Sequence, residues 1–298
     1  MQFETVFENR RFILGEGPHY DAGSGALYWV DIVAGEAWRM DVATRKAESW
    51  PFGGPVSAVV PRAIGGLMVA RANGLVFFDP ASAKQTPFCA PEADLTGNRS
   101  NEARVDPTGR FWLGTMQNNI GPNKEDLPIT RSTGALHRID ADGQFEKVVS
   151  GVGVSNTLCW DEARGRLYFA DSRAGVISVF DWDRANGHIT NQRLFATKHE
   201  RGVPDGSALD AEGYLWNCRW GGKCIIRYNP DGGIDRIIDT PVTNPTSCVF
   251  GGASLRTLYV TSAYQGMSPA QRAANPMEGA LLMARADVSG QPCTRLAA

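Results

Sequence analysis

Short apolar runs, each introduced by a turn, recur along the whole chain. They begin near residues 24, 65, 109, 165, 213 and 256 and read SGALYWVDI, GGLMVARANGLVFFD, GRFWLGTM, GRLYFADSRAGVISVFD, GYLWNCRWGGKCIIRYNPDG and RTLYVTSAY. Their alternating Leu, Val, Tyr, Trp and Phe residues are typical of β-strands, and helical periodicity is almost absent. Several runs follow turns that open with aspartate and close with glycine, such as DPTG and DAEG. The pattern predicts an all-β protein.

The spacing of these runs predicts the architecture. They lie roughly 40 to 55 residues apart, the period at which four-stranded propeller blades repeat. Six such units fill the chain, so we predict a single six-bladed β-propeller domain over residues 1–298. The early segment FETVFENRR is expected to complete the last blade and remove an open sheet edge. Two β-sandwiches are the competing arrangement, but no Pro/Ser/Gly-rich break or charge run provides a linker between them.

Composition and charge exclude several partners. The chain is 43% hydrophobic and 21% charged, and its net charge of -2 leaves no basic excess for phosphates. Nucleic acid and anionic membranes are therefore not expected as partners. No stretch approaches the ~20 apolar residues of a membrane span, and MQFETVFENRRFILGEGP lacks the apolar core of a signal peptide. The six cysteines lie far apart without a CxxC pair, so reduced thiols and a cytoplasmic location are expected.

Four segments carry an acid or amide shortly before an apolar run. Glu16, Asn101, Asn156 and Asp205 each stand eight or nine residues before the turn glycine of their repeat. Equivalent positions of different blades converge on the propeller axis, so these side chains are expected to meet in the central channel. Two carboxylates and two amides there require a cation, and oxygen ligands favour Ca²⁺, Mg²⁺ or Mn²⁺. Any one of them alone would be explained as a turn cap, but turn caps need no shared offset.

Other catalytic signatures are absent. The chain has no HExxH, GxSxG or P-loop motif and no GxGxxG between strand and helix. His19 follows the LGEGP segment and is interpreted as a surface or core histidine, with an outer contact to the metal site as the alternative. Nucleophilic serine catalysis and nucleotide binding therefore lack support.

The same segments resemble the SMP-30/gluconolactonase/LRE family, which includes regucalcin and bacterial aldonolactonases. The resemblance is carried, in order from about residue 12, by LGEGPHYDAGSGALYWVDI, NEARVDPTGRFWLGTM, GVGVSNTLCWD followed by LYFADS, VPDGSALDAEGYLWNCRWGG and TSCVFGGASLRTLYVTSAYQGM. It implies a six-bladed propeller with one divalent metal ion (Ca, Zn, Mn, Mg or Fe(II)) at the central channel. The metal ligands of the family fall on Glu16, Asn156 and Asp205.

The resemblance also implies substrate contacts. The family's Arg-x-Asn-Asp segment falls on Arg99 and Asn101, with Glu102 where the family commonly has aspartate. In some relatives the asparagine at the Asn101 position lies near the metal. The longer side chain of Glu102 argues against a direct transfer of the family's best-known substrate preference.

A second departure follows the GTM sequence. The segment 117–140 resembles the long loop that covers the pocket in family members, but the acidic loop residue of the animal proteins has no clear equivalent. Gln117, Asn118 and Asn119 instead offer neutral hydrogen-bonding groups suited to sugar hydroxyls. In this segment the chain looks most similar to bacterial pentonolactonases such as L-arabinolactonases.

Together these features imply a metal-dependent hydrolase that opens a sugar lactone to the aldonic acid in bacterial sugar oxidation. The metal would polarise the lactone carbonyl, with Asp205 as general base and Asn156 as a neutral ligand that preserves positive charge. A phosphotriesterase or other esterase on the same scaffold and a non-catalytic calcium-binding propeller are the alternatives. The polar segment from Arg99 to Glu102 favours a small polyol over a bulky hydrophobic ester. A monomer or weak homodimer is expected.

Overall fold

Six four-stranded antiparallel sheets form the protein, in a computed structural model that describes residues 1–298. The strands of the first half are β1 (Glu4–Thr5), β2 (Gly15–Asp21), β3 (Ala26–Asp31), β4 (Glu36–Asp41), β5 (Ala47–Pro51), β6 (Val56–Pro61), β7 (Leu67–Arg71), β8 (Gly74–Asp79), β9 (Lys84–Cys89), β10 (Asn98–Val105), β11 (Phe111–Gln117), β12 (Gly134–Ile139) and β13 (Phe145–Val152). The strands of the second half are β14 (Ser155–Asp161), β15 (Arg166–Asp171), β16 (Val176–Trp182), β17 (Ile189–Ala196), β18 (Val203–Leu209), β19 (Leu215–Trp220), β20 (Cys224–Tyr228), β21 (Ile234–Asp239), β22 (Pro245–Gly251), β23 (Thr257–Ser262) and β24 (Leu282–Arg285). The helices are a 3₁₀ turn, Glu162–Arg164, and α1 (Pro269–Ala274).

Each sheet is one blade of a closed ring. Blades 1 to 5 are meanders of four consecutive strands, β2–β5, β6–β9, β10–β13, β14–β17 and β18–β21. The first strand of each blade contacts the first strand of the next, and β22 of blade 6 returns to β2. The predicted six-bladed β-propeller is confirmed.

The N-terminal strand closes the ring. Strand β1 pairs antiparallel with β24, placing Glu4 opposite Met283 and Thr5 opposite Leu282. Blade 6 therefore combines the two ends of the chain, in the order β1-β24-β23-β22. This confirms that the early segment completes the last blade, and it covers an edge that β24 would otherwise expose.

The hydrophobic core is divided among the interfaces between neighbouring blades. Successive side chains of a strand point to opposite faces. In β3, Ala26, Tyr28 and Val30 pack toward blade 2, whereas Leu27 and Trp29 pack toward blade 6. Six buried clusters result, one in each interface. This arrangement explains why the second strand of each blade reads as an almost unbroken apolar run.

Each innermost strand carries a β-bulge at the same height. Relative to its neighbour it contains one extra residue, within the stretches 16–19, 56–58, 100–103, 156–158, 204–207 and 245–247. A bulge kinks the strand and re-aims the side chains beside it. Glu16, Asn101, Asn156 and Asp205 all lie at these bulges, so the repeat that builds the fold also orients them together.

The C-terminal segment, residues 291–298, crosses the end of the channel where the innermost strands finish. Its contacts are Gln291 N–H to Leu209 O in blade 5, Arg295 to Asp21 in blade 1, Leu296 N–H to Pro61 O in blade 2 and Ala297 N–H to Gly109 O in blade 3. It also helps to line a small cavity of about 90 Å³ that contains Arg104 and His19. The segment therefore connects four blades and covers this end of the channel.

Two further observations bear on the sequence predictions. All six cysteines are unpaired, as predicted. No helix in the structure is both long enough and apolar enough to cross a membrane.

Candidate functional site

A polar pocket of about 360 Å³ lies at the opposite end of the channel, where the innermost strands begin. Glu16, Asn101, Asn156 and Asp205 all line it, from blades 1, 3, 4 and 5. The convergence predicted from their common offset is therefore present. A wider cavity of about 1060 Å³ adjoins the pocket, and the side chain of Arg99 lines both.

Two carboxylates of the pocket, those of Glu16 and Asp205, are buried without an ion pair. Glu16 is 7% and Asp205 is 4% exposed, and each accepts one hydrogen bond, from the N–H of Gly17 or Gly206 at 3.1 Å. Burial raises the pKa of Glu16 to about 8, and repulsion from Glu102 adds to the rise. Burial, with repulsion from Glu16 and Glu102, also raises the pKa of Asp205. For Glu16, burial and repulsion between carboxylates outweigh the opposing effect of Arg104 and Arg99 on the pKa.

The amide of Asn156 is held in one orientation. Its Nδ2 donates to Ser172 Oγ at 2.8 Å, and Ser172 Oγ donates to the carbonyl of Pro204 at 2.5 Å. The carbonyl oxygen, Oδ1, therefore remains for the pocket, with only a 3.4 Å contact from Asn101 Nδ2. Asn156 presents an oxygen, not an N–H group, beside the two carboxylates.

Thr157 links the bulges that carry Asn156 and Asp205. It is fully buried with φ at +50°, a left-handed conformation that β-branched residues rarely adopt. Its Oγ1 donates to the main-chain carbonyl of Asp205 at 2.5 Å and contacts Ser207 Oγ at 2.9 Å. Strain of this kind persists where surrounding contacts enforce it, often at functional sites.

These oxygen donors fit a divalent cation. Glu16 and Asp205 supply negative charge and Asn156 supplies a neutral carbonyl oxygen, which is the chemistry that hard cations prefer. No group of three or more His, Cys, Asp or Glu side chains in the chain is placed to hold a metal. The metal site stays a prediction, supported by the chemistry of its donors.

Arg99 forms the cationic side of the pocket. It is 3% exposed; Nε and Nη2 donate to Asn119 Oδ1 at 3.0 and 2.7 Å, and Nη1 donates to Asn101 Oδ1 at 2.7 Å. Burial lowers the pKa of Arg99 to about 10, so the guanidinium remains charged at neutral pH. Asn119 and Asn101 thus hold a buried cation beside the carboxylates.

Three residues predicted to contact substrate lie outside the pocket lining. At the bulge, Glu102 pairs with Arg104 Nε at 3.1 Å and does not line the pocket with Asn101. Gln117 closes its own loop by accepting two main-chain N–H bonds from the far end of that loop. Asn118 bonds to the main chain of a neighbouring residue and lines the wider cavity.

The pocket also contains residues that the sequence analysis missed. Asp126, from the loop 117–133, accepts hydrogen bonds at Oδ1 from Asn119 Nδ2 at 3.0 Å and from Gln265 Nε2 at 3.1 Å. An acidic loop residue is therefore present at the pocket, although the sequence showed no clear equivalent. Ser172 lies in the LYFADS segment that carries the family resemblance, and this was the one signal for it.

Replacing Ser172 with alanine is expected to weaken binding of Mn²⁺ or Ca²⁺ about tenfold, because partners that orient ligands typically contribute 10- to 100-fold to metal affinity. Without Ser172 Oγ the Asn156 amide is free to rotate. Calorimetric titration of chelator-stripped protein measures the effect. Ser178→Ala, in the same blade but away from the pocket, should bind like the wild type. Equal affinity in Ser172→Ala would show that Asn156 needs no such support.

The fold and pocket together define a class: a six-bladed β-propeller with an oxygen-rich small-molecule site at one mouth of its channel. Within that class, the chain belongs to the SMP-30/gluconolactonase/LRE family. The profile of the SMP-30/Gluconolactonase/LRE-like region matches residues 14–264, which include all four converging residues.

Known relatives cover nearly the whole chain. Regucalcin of Xenopus laevis is 32% identical over 270 residues, covering 90% of this chain and 89% of the relative. A Rhizobium meliloti protein, provisionally named a sugar lactone lactonase, is 33% identical over 289 residues, covering 95% and 94%. The crystal structure of a calcium-binding protein, regucalcin from Agrobacterium tumefaciens, superposes with a TM-score of 0.90 at 27% identity, covering 98% and 96%. The relatives indicate a family of sugar lactonase and gluconolactonase type.

Proposed function

We propose that this protein hydrolyses a sugar lactone to the open-chain aldonic acid, using one divalent metal ion. The carrying observation is the convergence of oxygen donors from Glu16, Asn156 and Asp205, two of them carboxylates without an ion pair, beside the charged Arg99. The name of the Rhizobium relative supports the lactone, and the description of the Agrobacterium regucalcin supports a divalent cation. The same proposal assigns the reaction to bacterial sugar oxidation.

Glu16, Asn156 and Asp205 would hold the cation. When bound, it supplies Lewis-acid polarisation of the lactone carbonyl. Because Asn156 is neutral, the two carboxylates only balance a double positive charge, and the developing oxyanion is not repelled by a third anion. Ca²⁺, Mg²⁺ and Mn²⁺ suit these donors best.

Asp205 acts as the general base. Its Oδ1 is held by the N–H of Gly206, and a carboxylate oxygen remains free toward the pocket. It accepts a proton from water as the water oxygen bonds to the lactone carbonyl carbon. The same proton then passes to the ring oxygen as the acyl C–O bond breaks, which yields the aldonic acid from one lactone and one water.

Arg99, Asn101 and Asn119 bind the sugar hydroxyls from one side of the pocket. Their fixed hydrogen bonds to one another keep them in place before substrate arrives, which favours a small polyol. Glu102 lies outside the pocket and pairs with Arg104. Gln117 and Asn118 form hydrogen bonds that hold the loop after β11. All these residues lie in one chain, so a monomer or weak homodimer suffices for activity.

Arg99→Ala is expected to raise KM by about tenfold or more, because the loss of one hydrogen bond to a charged group weakens binding by about that factor. Metal content should change much less, since Arg99 is not a ligand. Steady-state kinetics with metal analysis of the same preparation check both. An unchanged KM would limit Arg99 to a structural role.

A proton-release assay tests the function. We expect hydrolysis of γ- or δ-aldonolactones that stops with EDTA and returns on addition of a divalent ion. Turnover of paraoxon without turnover of any lactone would instead identify a phosphotriesterase. Metal binding without turnover of either substrate would identify a non-catalytic calcium-binding propeller.

A further inference from the structure

A chain of hydrogen bonds runs along the rim of the pocket from blade 6 to blade 3. Gln265, which follows β23, donates to Asp126 Oδ1 at 3.1 Å, and Asn119 donates to the same oxygen at 3.0 Å. Asn119 Oδ1 then accepts two N–H groups from Arg99, which bonds onward to Asn101. All five side chains line the pocket. Asn119 is thus fixed through its Nδ2 so that its Oδ1 faces the guanidinium.

This arrangement matters because Arg99 is close to a carboxylate that it does not bind. Both Arg99 and Glu16 are buried and line the same pocket, and the two charges attract each other. No nitrogen of Arg99 lies within ion-pairing distance of Glu16, whose hydrogen-bond partner is the N–H of Gly17. A buried guanidinium with unused donors would pair with a carboxylate within its reach.

Asn119 engages two of these donors, and with the other contacts four of the five guanidinium N–H groups are used. It takes Nε and Nη2, while Asn101 and a main-chain carbonyl take Nη1. Because Asn119 is neutral, it directs the guanidinium without adding negative charge to a pocket already crowded with carboxylates. The interaction therefore sets where the guanidinium points while Arg99 stays charged.

We propose that Asn119, held by Asp126, is a positioning residue that keeps Arg99 from pairing with Glu16 and so leaves that carboxylate free to hold a divalent cation. This inference rests on the proposed metal site. Arg99 and the proposed cation site can then occupy one pocket, because the neutral amide of Asn119 holds the guanidinium away from Glu16.

Metal affinity, measured without substrate, tests the inference. In Asn119→Ala, Arg99 is released toward Glu16, and the dissociation constant for Mn²⁺ or Ca²⁺ should rise about tenfold or more in calorimetric titration of the full chain. Arg99→Ala alone should bind the ion at least as tightly as the wild type. The double variant should return to the affinity of Arg99→Ala, because no guanidinium remains to compete.

Asn123→Ala is the matched control. Asn123 is an exposed asparagine of the same loop, and no side-chain hydrogen bond is formed by it; its variant should bind the ion like the wild type. Thermal unfolding of each protein separates weak binding from loss of fold. Unchanged affinity in Asn119→Ala, or a double variant as weak as Asn119→Ala, would overturn the positioning role. A wild-type protein that binds no divalent ion would overturn the metal proposal as well.

Discussion

Asp205→Asn should lower kcat by about 10³-fold, within the range that a general base contributes. The amide retains an oxygen for the cation and accepts the N–H of Gly206, but it cannot take a proton from water. Metal affinity should therefore fall only in part. Steady-state turnover of the lactone, with metal analysis of the same protein, measures both quantities.

The same substitution should not destabilise the metal-free protein. Because the pKa of Asp205 is higher in the folded chain than in the unfolded chain, its ionised form destabilises the fold increasingly as the pH rises above the unfolded value. An amide removes this penalty and the repulsion from Glu16 and Glu102. In EDTA at neutral pH, Asp205→Asn should melt at or above the temperature of the wild type.

Asp231→Asn provides the comparison for both measurements. Asp231 is an exposed aspartate of the same blade, remote from the pocket, and its variant should match the wild type in rate and stability. Full activity in Asp205→Asn would disprove the general-base role. A low melting temperature for that variant would mean that the carboxylate contributes to folding in a way its buried, unpaired position does not indicate.

Deletion of residues 291–298 should lower the free energy of unfolding by about 3 kcal/mol or more, from the loss of one buried leucine and several hydrogen bonds. Leu296 is 2% exposed and packs in the cluster between blades 2 and 3. Arg295 donates to both carboxylate oxygens of Asp21, at 2.9 and 2.7 Å. At about 2 °C or more per kcal/mol, Tm should fall by roughly 6 °C or more.

Arg295→Gln separates the ion pair from the rest of this segment. Burial alone would raise the pKa of Asp21, but the hydrogen bonds from Arg295 and Ser24 outweigh burial and lower it to about 2. Ionised Asp21 therefore stabilises the fold above about pH 3.9, the pKa of an aspartate in the unfolded chain, and this stabilisation is lost as the pH falls through about 2. The difference in free energy of unfolding between wild type and Arg295→Gln should therefore shrink as the pH falls from about 3.9 to about 2. A truncated protein that melts like the full chain would show that the segment merely lies on the surface.

The fold was predictable because its determinants are local and repeated. Alternating apolar strands show directly in the sequence, and their regular spacing states how many blades there are. The common offset of Glu16, Asn101, Asn156 and Asp205 identified the pocket for the same reason, since equivalent positions of a closed ring must converge. Asp126 was missed because it lies in an acidic loop stretch, KEDLP, whose sequence is typical of an exposed turn. Gln265 was missed because it follows a strand of blade 6, outside the four segments with the common offset.

By itself, then, the sequence determined the all-β class, the six blades, the closing N-terminal strand and the four converging residues, because strand periodicity and repeat spacing are properties of the chain. Only the tertiary structure decided which way each side chain faces at the bulges and in the loop. It turned Glu102 toward Arg104, Gln117 into its own loop and Asn119 toward Arg99. These outcomes depend on hydrogen bonds inside blade 3, between residues 2 to 20 positions apart, and their geometry is set by the bulge and the folded loop, which strand periodicity and repeat spacing do not specify.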